Sequence, residues 1–476
     1  MAHRYRRTMT RVLAYMFAII LVPLLAGVAG LGTRMVTAAR TDTNPPAYTG
    51  ALPMPPVHDP GKRTAVIIAA NSGTEGSDFL APYEVIATSG AFNLYAIAPE
   101  RRITHLFPGS PLLRGVDIMP HYSFAEYDTA IGSDPDLIVI PFMPFEQAPE
   151  YQKIMAWIRA HAGPHTILLS ICAGAKNMTD TGLLAGRSVT THHYTFPIIA
   201  QAHPDVRLVQ GVRYVEHGNF ISSAGVTAGV DASLFTLKRM LGREAALDVA
   251  RQIGYPYAQF LDNPAYNPPA VPMTGSTAPS LFNMFLSAYR MSTSQLGVAL
   301  YPGISEIALA SVVDTYPHEN TLTINTVAPE RAVVISRHGL ALVPRWSFAD
   351  APTLDRIIMP GRESSADIPD TFERWAEGRY QIPVERIHAN GGYPYDITFN
   401  DMAHRAGSAI ANQTVYLLEY PVGRVQVAAP LIPLGLIVRI VMLALLGLAL
   451  AVMIDRRRAA RTQQRSLKSM QPTAAA

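Results

Sequence analysis

The chain is poor in cysteine and in charged residues for its length. Of its 476 residues, one is a cysteine, Cys172, and 16% are charged. A single thiol excludes an intrachain disulfide. No group of cysteines and histidines has the spacing of a metal site, and no glycine-rich loop follows a strand as phosphate binding requires. The sequence therefore predicts no metal and no cofactor.

Basic residues are scarce outside the two ends of the chain. The formal net charge is +3, but four arginines lie within residues 1–11 and six basic residues within residues 455–476, so the long middle part is acidic. That part has no basic stripe and no helix-turn-helix signature. We therefore expect no nucleic-acid partner, and we interpret the basic ends as membrane-topology signals.

Two apolar segments adjoin the basic ends. Val12–Leu31 is nearly uninterrupted and long enough to cross a bilayer, although small residues at 36–38 leave a cleaved signal peptide as an alternative. Leu431–Ile454 is the second segment, and it is followed by Asp-Arg-Arg-Arg at 455–458. Because basic residues stay on the cytoplasmic side, we expect both termini to be cytoplasmic and the folded part to lie outside the cytoplasm, with the lipid bilayer as a partner.

Between these segments the chain alternates buried strands with helices, as in a doubly wound parallel sheet. Proline-rich stretches separate two such units. The predicted organisation is an N-terminal anchor or signal at 1–32, a linker at 33–62, a first α/β domain at 63–262, a linker at 263–294, a second α/β domain at 295–425, a transmembrane helix at 427–454 and a basic cytoplasmic tail at 455–476.

Cys172 lies at a predicted strand-to-helix corner. The apolar run Ile167–Ile171 favours a strand, and the small residues that follow the cysteine open a helix. Unpaired N–H groups at a helix start favour a thiolate, and the small Ala173 and Gly174 would leave room for an oxyanion beside those groups. A lone cysteine is also often buried as a small hydrophobic residue, and that alternative stays open.

Four motifs around this corner point to a family. They are Ser-Ile-Cys-Ala-Gly-Ala at 170–175, Gly-Leu-Leu-Ala-Gly-Arg at 182–187, Val-Thr-Thr-His at 189–192 and Ser-Ser-Ala-Gly-Val-Thr-Ala-Gly-Val-Asp at 222–231. In this order they resemble the ThiJ/PfpI superfamily, the class I glutamine-amidotransferase-like fold. The resemblance implies a flavodoxin-like, doubly wound parallel sheet, and pairing of such domains as a homodimer or as an intrachain pseudo-dimer.

The resemblance also implies a site around the thiol. Asp78, which opens the family-like run Asp-Phe-Leu-Ala-Pro-Tyr-Glu-Val, would place its carboxyl group against the sulfur, and its alternative role is a helix N-cap. His192 would activate the thiol, with His193 as the alternative. The predicted site therefore has the catalytic residues Cys172, Asp78 and His192 and the backbone groups of Ala173 and Gly174.

The second α/β domain repeats motifs of the first. Ala-Pro-Glu-Arg at 98–101 returns at 328–331, and Gly-Tyr-Pro-Tyr at 254–257 returns at 392–395. The spacing between paired motifs shortens in the interval where the first copy carries its cysteine corner. The sequence therefore predicts a second, degenerate copy of the fold, in which Ala308 replaces the acid and no cleft remains.

Two functions remain open on this basis. One is a membrane-anchored, cysteine-dependent hydrolase or hydratase, similar to isonitrile hydratases or glyoxalases, that acts on a small electrophile through a thiol of lowered pKa. Many relatives with hydratase activity carry threonine directly after the cysteine, where this chain has Ala173. The other is a ligand-sensing or scaffold protein that keeps the fold without turnover.

Overall fold

The structure is a computed structural model that describes residues 2–40, 43–46, 48, 50–266, 288–289, 294–319, 322–362, 367–422, 425 and 427–469. Most of the predicted linker at 263–294 lies outside the described residues. The remainder contains two α/β units and two long apolar helices.

The first α/β unit alternates strands and helices. Its elements are β1 (Arg63–Ile68), β2 (Thr74–Glu75), α2 (Gly76–Thr88), β3 (Phe92–Ala98), β4 (Thr104–Phe107), β5 (Val116–Met119), β6 (Tyr122–Ser123), α3 (Phe124–Ala130), β7 (Leu137–Ile140), α4 (Tyr151–His161), β8 (Ile167–Ser170), α5 (Gly174–Asp180), β9 (Ser188–Val189), α6 (Phe196–Ala202), β10 (Arg207–Leu208), β11 (Tyr214–His217), β12 (Phe220–Ser223), α7 (Ala228–Leu241) and α8 (Arg243–Gln252), followed by a 3₁₀ turn at Ala258–Leu261.

A seven-stranded sheet of order β11-β12-β8-β7-β1-β3-β6 forms the core of this unit. All of its strands run parallel except β11, which pairs antiparallel with β12 at one edge. Every residue of β7 is fully buried, because helices cover both faces of the sheet. The predicted α/β class with a parallel sheet is confirmed. The sequence pattern of 188–191 predicts a strand, but only Ser188 and Val189 form one, in a separate pair with β10.

The second α/β unit is smaller. Its elements are β13 (Ser294–Ala299), α9 (Glu306–Thr315) with a 3₁₀ turn at Tyr316–Glu319, β14 (Leu322–Ala328), β15 (Val334–Ile335), β16 (Ala341–Val343), β17 (Trp346–Ser347), β18 (Arg356–Ile358), α10 (Asp367–Tyr380), β19 (Val384–Glu385), α11 (Pro394–Ala406) and α12 (Ser408–Leu417). Its parallel sheet has the order β17-β14-β13-β18-β19. The strands β6-β3-β1-β7-β8 of the first sheet follow one another in the same way.

The two units share a third sheet of order β15-β16-β5-β4-β2. Its central step joins the units, since β16 pairs antiparallel with β5 and sets Ala341 opposite Met119. Helices α2 and α9 also pack against each other. The start of α2, next to the carboxyl end of β1, therefore lies between the first unit and the second.

The apolar helices α1 (Ala2–Arg40) and α13 (Leu434–Ser469) pack side by side. Within them, Thr8–Thr33 and Leu434–Gln464 are long and apolar enough to span a membrane. Helix α1 extends beyond the predicted apolar segment Val12–Leu31 at both ends. Helix α13 begins later than predicted because Pro433 disfavours helical backbone at the residue before it. It continues through the predicted tail because the arginines, alanines and glutamines there are good helix formers.

Candidate functional site

Cys172 occupies the predicted corner between β8 and α5. Its φ of 55° is unusual for a residue other than glycine. Among the other non-glycine residues that the structure describes, only Gln381 and Glu419 also have a positive φ. Two hydrogen bonds hold this backbone: the Cys172 N–H donates to Ser223 Oγ over 2.9 Å, and Thr191 Oγ1 donates to the Cys172 carbonyl over 3.0 Å. Non-glycine backbone of this kind persists where surrounding contacts impose it, often at functional sites.

Gly174 does not serve the predicted oxyanion role. Its N–H donates to the Ile171 carbonyl over 2.8 Å, so it is not available to a ligand. A Cβ at this position would collide with the Ile140 carbonyl oxygen, so glycine is needed for close packing against the end of β7. The Ala173 N–H remains, and its hydrogen bond to the Cys172 side chain acts to lower the thiol pKa.

Two buried acids lie at the start of α2. Glu75 is the N-cap, and its Oε2 accepts from the Asp78 N–H over 2.6 Å. Asp78 is therefore in the first turn and is not the N-cap. Its Oδ2 accepts from the Phe142 N–H over 3.2 Å, while its Oδ1 has no hydrogen-bond partner among the described residues. Burial raises the pKa of both carboxyl groups well above the usual range.

The thiol itself is not activated as the sequence suggested. Cys172 is 5% exposed, and burial raises its pKa well above the usual value, with the charges of Asp78, Glu75 and Glu419 acting in the same direction. The Ala173 hydrogen bond opposes this but is the smallest of the named effects. The expected lowered pKa is thus wrong, because burial and surrounding carboxylates outweigh the first turn of a short helix.

The His192 ring does not have the orientation that its predicted role requires. Its Nε2 lies 2.8 Å from the Leu417 carbonyl oxygen and so must donate, which leaves Nδ1 to accept from the Tyr194 N–H over 3.4 Å. Burial lowers the His192 pKa and favours this neutral form. Because both ring nitrogens have other partners, His192 is not oriented to take a proton from Cys172.

The neighbouring His193 has the geometry that His192 lacks. Its Nδ1 lies 2.8 Å from Glu419 Oε1, and its backbone N–H donates to the same oxygen over 3.0 Å. Its Nε2 is buried without a hydrogen-bond partner among the described residues. Burial alone would raise the pKa of Glu419, but the His193 hydrogen bond and the two histidines lower it. An ionised carboxylate therefore orients an imidazole with one free nitrogen, as in general acid-base sites.

Glu419 comes from the second unit, just beyond the end of α12. The segment is seated on the first unit by Thr227, whose Oγ1 donates to the Leu418 carbonyl over 3.0 Å, and by Arg213, which donates to the Glu419 carbonyl. Gly225 leaves space for it, since a Cβ there would lie 2.5 Å from the Glu419 Cβ. The second unit thus supplies part of the site.

Asp314 is a second contribution from the second unit. It is fully buried on α9, and neither carboxylate oxygen has a hydrogen bond of normal geometry among the described residues. Burial raises its pKa well above the usual range, and the Glu75 charge raises it further, while Ser77 acts in the opposite direction. Glu75, Asp78 and Asp314 therefore form a group of three buried acids at the start of α2.

A cavity of about 480 Å³ adjoins His193. Thr191, His193 and Glu419 form its polar wall, and Cys172 is not among its lining residues. The rest of its surface is mainly apolar and includes Phe196, Pro197, Leu208, Val212, Tyr266 and Tyr416. Its volume is in the usual range for small-molecule sites.

A second cavity lies between the two units. It measures about 420 Å³, and its lining includes Ser305 and Ala308 at the start of α9 together with Glu84 and residues 251–254 of the first unit. Because both units line it, the expectation that the second unit has no cleft of its own stays a prediction. The cavity persists because glycine-rich loops follow β18 and β19, and Gly361, Gly391 and Gly392 line it.

Two groups of side chains could bring three ligand atoms to a metal ion. They are His192, His193 and Glu419, and Glu84, Glu306 and His338, with each set within 4.8 Å. In both, a histidine Nδ1 already lies 2.8 Å from a carboxylate oxygen of its own group. The absence of a metal stays a prediction.

Comparison with known proteins identifies the first unit. Residues 62–239 match the model of the DJ-1/PfpI family. The chain carries a DJ-1/PfpI family domain. This confirms the resemblance drawn from the motifs around Cys172.

Relatives of the DJ-1/PfpI domain include an enzyme. Isonitrile hydratase from Pseudomonas putida is 28% identical over 117 residues, which are 24% of this chain and 49% of that enzyme, so the match spans about half of its length. A DJ-1 superfamily protein from Salmonella typhimurium is 20% identical with a TM-score of 0.35 and covers 41% of this chain and 100% of its own. A ThiJ/PfpI family protein from Pseudomonas syringae is 18% identical with a TM-score of 0.37 and covers 50% and 92%.

Within the DJ-1/PfpI domain, the structure brings Cys172 and Asp78 together but directs His192 elsewhere. Sequence reasoning missed Glu75, although an acid three residues before Asp78 at a helix start is a recognisable capping signal. It also missed Glu419 and Asp314. No local pattern marks these two residues, because their role depends on how the second unit packs.

Proposed function

We propose that this protein is a cysteine-dependent hydrolase or hydratase, held at the membrane, that acts on a small neutral electrophile. The main support is the strained Cys172 corner beside the buried acids Glu75 and Asp78. The DJ-1/PfpI domain and its similarity to an isonitrile hydratase support the same reaction class.

The raised thiol pKa defines how such a reaction would begin. Because the resting thiol is neutral, its proton must leave as the sulfur attacks the carbon of the electrophile. Asp78 Oδ1 has no other hydrogen bond among the described residues and would take that proton. Two adjacent buried carboxyl groups hold one proton more readily than two charges, so the Glu75–Asp78 pair can then protonate the displaced electron pair of the substrate.

The Glu419–His193 pair would serve the second half of the reaction. His193 Nε2 would remove a proton from water as the water oxygen adds to the same carbon. The imidazolium would pass this proton to the substrate atom that takes up the displaced electron pair. As the carbon–sulfur bond then breaks, the proton of the added hydroxyl group would return to the sulfur, and the hydrated product would leave. An adjoining cavity with a polar wall at His193 supports this role.

We infer that the two apolar helices anchor the protein with both ends in the cytoplasm. Arg11 and Asp455 approach to 3.3 Å, which sets the two basic ends side by side. The hydrogen bond from Tyr289 to the Pro23 carbonyl supports an N-terminal helix that is retained. Since arginine-rich ends stay inside, both α/β units would lie outside. A reporter fused after residue 468 should then be cytoplasmic.

The second unit is interpreted as a degenerate copy of the first that acts as its pseudo-dimer partner. The repeated strand order and the antiparallel step between β5 and β16 support this. Pairing of the two units would complete the cysteine site, because Glu419 and Asp314 come from the second unit.

Ligand sensing without turnover is the second candidate function. The burial of Cys172, which is 5% exposed, and the raised pKa of its thiol favour it, because a neutral buried thiol is a poor nucleophile. The cavity beside His193 would then bind a ligand without reacting with it.

Turnover assays on the full chain in detergent separate these functions. An isonitrile, an α-oxoaldehyde and an amide serve as probes, and consumption of each is followed over time. We expect Cys172→Ser to abolish turnover and His193→Ala to slow it by about 10²–10⁴-fold. His192→Ala is the matched control and should have the smaller effect. Turnover that survives in Cys172→Ser excludes the proposed mechanism, whereas binding without turnover supports sensing.

A further inference from the structure

The cavity of about 420 Å³ between the two units differs in charge from the cysteine site. Three arginines, Arg251, Arg337 and Arg362, line it, and Glu84 is the acid among its lining residues. The cavity also lies beyond the carboxyl ends of β13, β18 and β19, where open parallel sheets bind their ligands.

The positive charge in this cavity is only partly neutralised. Arg337 lies 3.6 Å from Glu84, and Arg251 lies 3.2 Å from the exposed Asp248. Arg362 has no ion pair in the part of the chain that the structure describes. Glu84 is turned toward the start of α9, where its Oε2 accepts from the Ser305 hydroxyl over 2.6 Å and from the Ile307 N–H over 2.7 Å. Its carboxylate therefore faces α9 and Arg337, and among the described residues no acid forms an ion pair with Arg362.

The loop that carries Gly391 leaves room for the Arg362 side chain. A Cβ at Gly391 would collide with the Arg362 guanidinium, so glycine there lets the side chain lie against the loop. The loop is fixed by His388, which is buried: its Nδ1 accepts from the Gly361 N–H over 2.9 Å, and its Nε2 lies 3.0 Å from Thr398 Oγ1. Arg362 is exposed and lies against this loop at the wall of the cavity.

We propose that this cavity binds a small organic anion, whose carboxylate or phosphate group is held by Arg337 and Arg362. Guanidinium groups recognise both kinds of anion through paired N–H donors. The volume of about 420 Å³ suits a small molecule. Ser305 and Ala308 stand where the first unit has Glu75 and Asp78, so these two positions carry no charge, and the acid in the lining, Glu84, faces Arg337 at 3.6 Å.

Binding of defined anions to the full chain in detergent tests this site. The probes are inorganic phosphate, succinate and the neutral succinamide, measured by calorimetry and by the shift of the thermal unfolding midpoint. We expect phosphate or succinate to bind and succinamide not to bind, and which anion binds identifies the group that is recognised. Failure of both anions at millimolar concentration overturns the proposal.

Variants locate the site on the chain. Arg362→Gln should weaken binding by about tenfold or more, and Arg362→Lys should recover part of the loss. Arg374→Gln, an exposed arginine on α10, is the matched control and should bind as wild type. Unfolding midpoints without ligand show whether each variant folds, and Arg337→Gln replaces any that does not. Binding that is unchanged in both Arg337→Gln and Arg362→Gln places the anion on the basic ends of the chain and contradicts the proposal.

Discussion

The starts of α2 and α9 occupy corresponding places in the two units, yet they have opposite chemistry. In each, the N-cap side chain accepts from the N–H three residues on: Glu75 Oε2 accepts from the Asp78 N–H over 2.6 Å, and Ser305 Oγ accepts from the Ala308 N–H over 3.1 Å. The backbone arrangement is therefore shared, while the side chains at these two positions differ, with two acids at the start of α2 and a hydroxyl and a methyl group at the start of α9. Arginines line the cavity at the start of α9, and a cysteine lies near the start of α2.

Each of these two helices also carries an acidic side chain that lies near the start of the other helix. Glu84 on α2 finds two donors at α9, Ser305 and Ile307. Asp314 on α9 meets Glu75, which already caps α2, and so keeps both oxygens without a normal hydrogen bond in the described structure. The contact of Glu84 with α9 thus stabilises the pairing of the two units, while Asp314 adds a buried acid next to the cysteine. A repeated fold therefore need not repeat its electrostatics.

The largest effect that tests this contrast concerns Cys172. Alkylation of the single thiol by a small neutral reagent should have a pH midpoint above the usual value of about 8.5. Asp78→Asn removes a charge that raises the thiol pKa, so the midpoint should fall, with a tenfold gain in thiolate at neutral pH for each unit. Asp248→Asn, on the exposed face of α8, should leave the midpoint unchanged. A wild-type midpoint well below 8.5 would show that the acids do not control the thiol.

A smaller effect is expected where the second unit enters the cysteine site. Gly225→Ala would place a Cβ 2.5 Å from the Glu419 Cβ, and we expect the free energy of unfolding to fall by about 1–3 kcal/mol. Gly378→Ala on α10 has open space around it and should instead stabilise by about 0.5–1 kcal/mol. Chemical denaturation measures both variants. Equal effects would mean that Glu419 is not seated against Gly225.

The smallest expected effect distinguishes the two reciprocal acids. Because the pKa of Asp314 is raised on folding, the folded state binds more protons, and wild-type stability should fall as pH rises from about 4 through the raised pKa. Asp314→Asn should flatten this slope and gain about 1 kcal/mol at neutral pH. Unfolding midpoints between pH 4 and 8 provide the measurement. An unchanged slope would show that Asp314 is not the strained acid of the pair.

Much of the first unit could be predicted because its signals are local. A β-forming run followed by small residues marks the corner at Cys172, and both lie within a few positions of one another. The fold class followed from alternating patterns, and the repeat followed from paired motifs. The bounds of α13 were less accurate, because good helix formers continue beyond the apolar residues.

The sequence by itself determined the α/β class, the cysteine corner and the two apolar helices, since each depends on residues close together in the chain, whereas the place of Asp78 beside the corner was implied by the family resemblance. Only the tertiary structure decided the rest. Glu419 reaches His193 across 226 positions, and Asp314 reaches α2 from the second unit. The sign of the thiol pKa shift follows from these contacts, because desolvation and neighbouring charge are set by packing, which no local pattern encodes.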